Sequence, residues 1–252
     1  MSTIKKISST VEIFKTRKEM GLAAGKQAET FILECLGRKK EVRIIFAAAP
    51  SQSEMNKYLI SSKKIDWSRI TAFHMDEYIG LPSDAPQNFG NYLRERVFRK
   101  IPIKTVHYIN GNAGEKAECR RYSALLNKAP IDIVLCGIGE NGHIAFNDPP
   151  VADFKDRVLV KPVELEKACR YQQVREGCFP SLDKVPKRAL TLTIPALMGA
   201  SYMVCTVPGA NKAAAVTNTF RGPISEKCPA TILRLHPNCR FFLDGESGKG
   251  LM

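Results

Sequence analysis

The stretch Ile131-Asp-Ile-Val-Leu-Cys136-Gly-Ile-Gly-Glu-Asn-Gly-His143-Ile-Ala-Phe-Asn-Asp148 joins an apolar run to a glycine-rich turn that carries acids, amides and a histidine. Residues 131–136 read as a buried strand. The turn that follows, Gly137-Ile-Gly139-Glu-Asn-Gly142, spells G-x-G-x-x-G. A dinucleotide site would need a crossover helix there, and Pro149-Pro150 soon breaks any helix that starts at this point. The stretch therefore reads as a strand ending in an active-site loop, not as a nucleotide fingerprint. A glycine turn with a surface histidine is the plainer reading of the same residues.

Outward from this strand, short apolar runs alternate with helical patterns, the signal for parallel strands joined by crossover helices. Ala24, Ala28, Ile32 and Leu36 recur at helical spacing and predict a helix ending near Gly37, followed by a strand over 42–48. Met55 and Leu59 mark a second helix, 70–74 a second strand, and Phe89, Leu93 and Val97 another helical stripe. Further strands are expected at 106–109, 202–207 and 240–243, with helices around Ala117, Ala124 and Leu125 and over 211–220. The fold expected is α/β: a modified Rossmann-like open parallel sheet with helices on both faces, as a single domain over 1–252.

Composition narrows the function. The chain has 252 residues, 44% of them hydrophobic, which suffices for one well-buried core. No run approaches the roughly 18 apolar residues of a membrane span, and Met1-Ser-Thr-Ile-Lys-Lys-Ile-Ser-Ser9 lacks the apolar segment of a secretory signal, so a cytoplasmic location without membrane contact is expected. Eight cysteines form no C-x-x-C pair, and Cys35, Cys136 and Cys205 sit among apolar neighbours, as reduced core residues do; no metal site is expected. The net charge of +13 is spread over short groups such as Arg38-Lys39-Lys40 and Arg120-Arg121, without interleaved aromatics, so nucleic acid is not expected as a partner. A basic surface does help attract a small phosphorylated substrate.

Four of the expected strands end in polar or glycine-bearing tips: Ala49-Pro-Ser-Gln-Ser53, His74-Met-Asp-Glu77, the 137–143 loop, and Pro208-Gly-Ala-Asn-Lys212. Open parallel sheets bind ligands at that edge, so the tips are expected to converge on one site. Ser51, Gln52 and Ser53 precede one helix and Gly209 to Lys212 another, offering free N–H groups and a lysine to an anion such as a phosphate monoester; ordinary helix capping explains the same residues. Asp76 and Glu77 are adjacent, so in extended backbone only one faces the site, where a partly desolvated carboxylate could act as a general base. A helix cap is the alternative role for such a carboxylate. His143 can pass a proton near neutral pH if Asp148 or Glu140 fixes its tautomer. His236 reads as packing near the last strand.

At Met75-Asp-Glu-Tyr-Ile-Gly-Leu81 and over residues 137–149 the chain resembles the glucosamine-6-phosphate deaminase (isomerase) family, related to the 6-phosphogluconolactonases. The resemblance continues in order through Val185-Pro-Lys-Arg-Ala-Leu-Thr191, Gly209-Ala-Asn-Lys-Ala213 and Leu235-His-Pro237, over about residues 20 to 245. It implies conversion of an amino-sugar 6-phosphate to a ketose 6-phosphate with release of ammonia, and no cofactor. It further implies that Asp76 shuttles a proton between C2 and C1, that His143 assists ring opening with Asp148 and Asn141 as its supports, and that Lys212 binds the phosphate. Ser51, Gln52, Ser53, Glu77 and Gly139 complete the expected substrate contacts.

The resemblance has departures. Asn141 stands where the family has an aspartate, Asp148 where it has a glutamate, and Ser51-Gln-Ser53 where it has a threonine and glycine-rich loop. Arg170 and Arg175 bracket the family's phosphate-binding arginine without aligning to it. The leading expectation is glucosamine 6-phosphate deamination by a chain compatible with a homo-oligomer. The alternatives are a 6-phosphogluconolactonase-type hydrolase and a non-catalytic sugar-phosphate sensor.

Overall fold

A computed structural model describes residues 3–8, as backbone, and residues 10–252. Residues 1, 2 and 9, part of the segment read above for a secretory signal and of the domain expected over 1–252, lie outside the described residues. In chain order the elements are β1 (Thr3–Ser8), β2 (Val11–Phe14), α1 (Arg17–Arg38), β3 (Val42–Phe46), α2 (Ser53–Ser61), β4 (Ile70–His74), β5 (Asp76–Tyr78), α3 (Phe89–Arg96), β6 (Thr105–His107), α4 (Glu115–Leu126), β7 (Ile133–Cys136), β8 (Val160–Glu164), α5 (Lys167–Arg175), β9 (Arg188–Leu192), α6 (Ile194–Met198), β10 (Tyr202–Val207), α7 (Ala213–Arg221) and β11 (Cys239–Asp244).

The main sheet runs β1-β2-β11-β10-β7-β3-β4-β6. It is parallel from β2 to β6, with β1 antiparallel at the edge. Successive side chains of a strand point to opposite faces, and the core divides accordingly. Val42, Ile44 and Phe46 pack with Met20, Ala24 and Ala28 of α1 and Met55 and Leu59 of α2. Ile45, Val134 and Cys136 pack on the other side with Tyr122 of α4, Val216 of α7 and Leu197 of α6. Each fully buried aliphatic side chain of this kind contributes about 1.5–3 kcal/mol. Both faces of the sheet are thus covered.

α1 begins at a capping box: Thr16 Oγ1 accepts from Glu19 N, and Glu19 Oε2 accepts from Thr16 N. It lies tightly on α2. A Cβ at Gly21 would come 2.2 Å from Glu54 Cβ, so only glycine permits that approach.

Apart from β1, β2, α5 and α6, the strands of the main sheet and its helices are those the hydrophobic pattern predicts. A second sheet is not. β5, β9 and β8 form a small antiparallel sheet, with Asp76 opposite Thr191 and Lys161 opposite Thr191 on the other side. Its residues Tyr78, Val163 and Ala189 pack with Phe89, Phe146 and Phe179 in a third core. The helix expected over 211–220 begins as a short 3-10 turn at Ala210–Lys212 and becomes α-helical only at Ala213. His236 Nε2 donates to Ala200 O at 2.8 Å, next to β11. All eight cysteines are free thiols.

Candidate active site

The chain steps from β3 to β4 and β6 in one direction and from β7 to β10 and β11 in the other, so the order reverses between β3 and β7. Such a switch point opens a crevice at the carboxyl ends of the strands. A cavity of about 420 Å³ occupies that position, lined by Ser51, Ser53, Asp76, Gly139, His143 and Lys212. All four strand tips therefore reach one wall or another of the same cavity.

The 137–148 loop fixes His143 through hydrogen bonds to its own residues. Asn141 Oδ1 lies 2.7 Å from His143 Nδ1 and accepts from His143 N at 3.1 Å. Asn141 Nδ2 donates to Asp148 Oδ1 at 2.8 Å and to Glu166 Oε2 at 2.7 Å. Asp148 Oδ1 is itself 3.0 Å from His143 Nδ1. Burial pushes the Asp148 carboxyl up, but its bonds to His143, Asn141 and the Cys169 thiol outweigh that and hold it below the ordinary carboxylate value. The imidazole lies over Gly139, where a Cβ would come 2.1 Å from Cε1 and 2.3 Å from both ring nitrogens. Ala145, also at the cavity, holds a φ of 51° in the left-handed region, a sparsely populated conformation for a residue with a side chain.

Asp76 and Glu77, adjacent on β5, do point apart. Asp76 lines the cavity, and burial, with the Glu77 charge second, holds its carboxyl well above the ordinary value. Glu77 is turned away and lies outside the cavity lining, contrary to its expected substrate contact. Its carboxylate accepts from Tyr78 N at 2.9 Å, Phe89 N at 3.0 Å and Gly90 N at 2.9 Å, capping the start of α3. Burial pushes it up to about 7 despite those three donors. Behind Asp76, His74 is fully buried and lowered by burial to about 4, so it is neutral; Nε2 accepts from Ile109 N and Nδ1 donates to Asp76 O, each at 2.9 Å. His74 thus braces the backbone that presents Asp76.

At the other end, Ser51 and Ser53 line the cavity, whereas Gln52 does not. Gln52 Nε2 donates inward to Cys136 O at 2.9 Å and Thr206 Oγ1 at 2.7 Å, tying the tip of β3 to β7 and β10, so its expected substrate contact is corrected to a brace. Lys212 is buried, which lowers its pKa, while Glu176 and Glu140 nearby oppose that shift. Its Nζ lies 3.4 Å from Glu176 Oε1. Asn141 and Asp148 stand behind His143 and not on the cavity wall.

Most of the chain, these strand tips included, falls within the span of a known family. The model of glucosamine-6-phosphate isomerases/6-phosphogluconolactonase matches residues 15–240. The chain belongs to this family. A glucosamine-6-phosphate deaminase of Bacillus cereus (strain B4264) is 33% identical over 237 residues, 93% of this chain and 86% of that protein. Another, from Bacillus cereus (strain G9842), is 37% identical over 185 residues, 73% of this chain and 69% of that one. Among solved structures, a monomeric glucosamine-6-phosphate deaminase has a TM-score of 0.86 at 33% identity, covering 96% of this chain and 99% of its own. The fold alone is shared with a 6-phosphogluconolactonase of Thermotoga maritima, at a TM-score of 0.76 and 20% identity over 93% of this chain and 99% of that one.

The cavity also has a wall on the helical side. Tyr92 and Arg96 of α3 line it, with the Arg96 guanidinium 4.8 Å over the Tyr92 ring. Gln172, Gln173 and Glu176 line it from α5 and its end. None carries a motif, and α5 has no clear apolar stripe. Neither bracketing arginine reaches the cavity: Arg170 donates to Leu182 O and Val185 O, and Arg175 pairs with Glu140. One group of metal-ligand types occurs among the described residues, His143, Asp148 and Cys169, with donor atoms within 4.8 Å of one another. His143 Nδ1 is there already engaged by Asn141 and Asp148, the arrangement of a hydrogen-bonded support.

Proposed function

We propose that the chain isomerises and deaminates an amino-sugar 6-phosphate, with glucosamine 6-phosphate as the preferred substrate and fructose 6-phosphate and ammonia as products. The observation that carries this reading is Asp76, the free edge of His143 and Lys212 on one cavity of about 420 Å³. His143 Nε2 exchanges a proton with the ring oxygen as the sugar opens. Asp76 then takes the C2 proton, giving an enediol-type amine, and returns it to C1. Water adds to the resulting ketimine, and ammonia leaves. A buried carboxylate with a raised pKa is a stronger base once ionised, which suits abstraction of a proton next to a carbonyl. Lys212, with the Ser51 and Ser53 hydroxyls, receives the phosphate. The same proposal places the reaction in the cytoplasm, within one catalytic unit acting on a small molecule and not on nucleic acid.

Purified protein should release ammonia and ketose 6-phosphate from glucosamine 6-phosphate, and Asp76→Asn should abolish both. Hydrolysis of 6-phosphogluconolactone that survives Asp76→Asn but not His143→Ala would replace this reading with a lactonase. Stabilisation by sugar phosphates without turnover of any would replace it with a sensor.

A further inference from the structure

The cation at the phosphate end of the cavity already has an anion beside it. Lys212 Nζ lies 3.4 Å from Glu176 Oε1, and the Lys212 side chain is only 7% exposed against 21% for Glu176. Glu140 is also near, but it is engaged elsewhere: it pairs with Arg175 and accepts from Asn211 Nδ2 at 2.8 Å. Glu176 has no such commitment. Among the described residues, apart from Lys212, its carboxylate accepts only from Gln172 Nε2 at 2.8 Å.

The position of Glu176 is unfavourable for a carboxylate on local grounds. It is the residue after the last turn of α5, where the helix dipole disfavours negative charge and a basic residue is the stabilising choice. The helix does not favour the charge there, and the charge is aimed into the cavity at the buried ammonium. A phosphate brought to Lys212 must either share that ammonium with Glu176, at the cost of like-charge repulsion in a poorly solvated site, or displace it.

We propose that Glu176 is a built-in competitor of the substrate's phosphate for Lys212, so that only a ligand carrying a dianionic group takes the lysine. This rests on the sugar-phosphate reading above. A neutral hexose or a monoanion offers Lys212 no more than Glu176 already does, whereas a phosphate monoester offers two charges and three acceptor oxygens. The pair acts as a filter for phosphorylated sugars and weakens binding of all of them by a common factor.

The test uses the full chain with inorganic phosphate as the probe in calorimetry, and glucosamine 6-phosphate in steady-state kinetics. Glu176→Gln keeps the size and the acceptor for Gln172 and removes the charge. Phosphate should bind about tenfold tighter, ~1.4 kcal/mol, and the KM for glucosamine 6-phosphate should fall in parallel. Glu176→Ala should move both in the same direction, so the result does not depend on one variant folding. In a Lys212→Met background the gain from Glu176→Gln should shrink, because the competition for the ammonium is gone and only the like-charge repulsion is left to relieve. Unchanged or weaker phosphate binding in both Glu176 variants, with Lys212→Met still weakening it, overturns the competitor and leaves the sugar-phosphate reading standing. Phosphate binding indifferent to Lys212→Met overturns both.

Discussion

Asn141 Oδ1 accepts from His143 at 2.7 Å, and the orientation of that amide is forced, because Asn141 Nδ2 donates to Asp148 and Glu166 on its other side. His143 Nδ1 therefore carries the proton and Nε2 keeps its lone pair for the cavity. An aspartate here would place three carboxylates together and leave Asp148 and Glu166 without their shared donor. Asn141→Asp should therefore destabilise the fold by about 2 kcal/mol at pH 8, and by less at pH 5 as the cluster takes up a proton. Urea denaturation at the two pH values checks this. An Asn141→Asp protein as stable as the parent at pH 8 would refute the amide orientation, and with it the tautomer.

Gly139 is needed for room, not for backbone freedom. A Cβ there would sit 2.1–2.3 Å from three ring atoms of His143. In Gly139→Ala the imidazole must swing off its supports, and a misplacement near 1 Å costs about 100-fold in rate. Steady-state assays should show that loss in kcat, with inorganic phosphate binding retained at the far end of the cavity. Undiminished kcat would mean that the ring does not act from this position.

What the sequence reveals of this molecule follows from the distance over which a signal is written. The inner strands read as short apolar runs, Ile133–Cys136 throughout and Val42–Phe46 in all but the buried Arg43, because helices cover both sides of the sheet. The second sheet is illegible locally. β5 is three residues long, and β8 is a half-exposed edge strand carrying Pro162, tolerable only at an edge. The period-two rule separates Asp76 from Glu77, but only the position of α3, whose first amides Glu77 caps, decides which faces the cavity. Gln52 looked like a phosphate contact by its place in a strand tip, yet its partners Cys136 and Thr206 lie 84 and 154 residues away. Glu176 belongs to no motif and matters solely because α5 ends beside Lys212.

Asp76→Asn should separate stability from function. The buried carboxylate has a pKa well above its ordinary value, so ionising it at pH 7 costs the folded state free energy that the unfolded chain does not spend. The isosteric amide removes that cost, and the thermal midpoint at pH 7 should rise. Turnover should fall by at least the roughly 100-fold to 10,000-fold that a general base contributes. For the parent enzyme the acid limb of kcat/KM should lie above the ordinary carboxylate range, because the base must be ionised to act. A midpoint lowered by Asp76→Asn would contradict the burial argument.

His74 and Glu77 should pull the pH dependence of stability in opposite directions. His74 is lowered from 6.5 to about 4, so between those values the unfolded chain binds the extra proton and stability falls as the pH drops. Glu77 is raised from 4.5 to about 7, so over that range the folded chain binds the extra proton and stability rises as the pH drops. Each shift corresponds to ~3 kcal/mol, and across their overlap, pH 4.5 to 6.5, the two nearly cancel. Removing one should expose the other. Denaturant unfolding of His74→Asn should show stability climbing toward acid relative to the parent, and Glu77→Gln should show it declining, although both start below the parent at pH 7 through lost hydrogen bonds to Ile109 N or to the α3 amides. Parallel profiles for parent and both variants would mean that neither group titrates differently on folding.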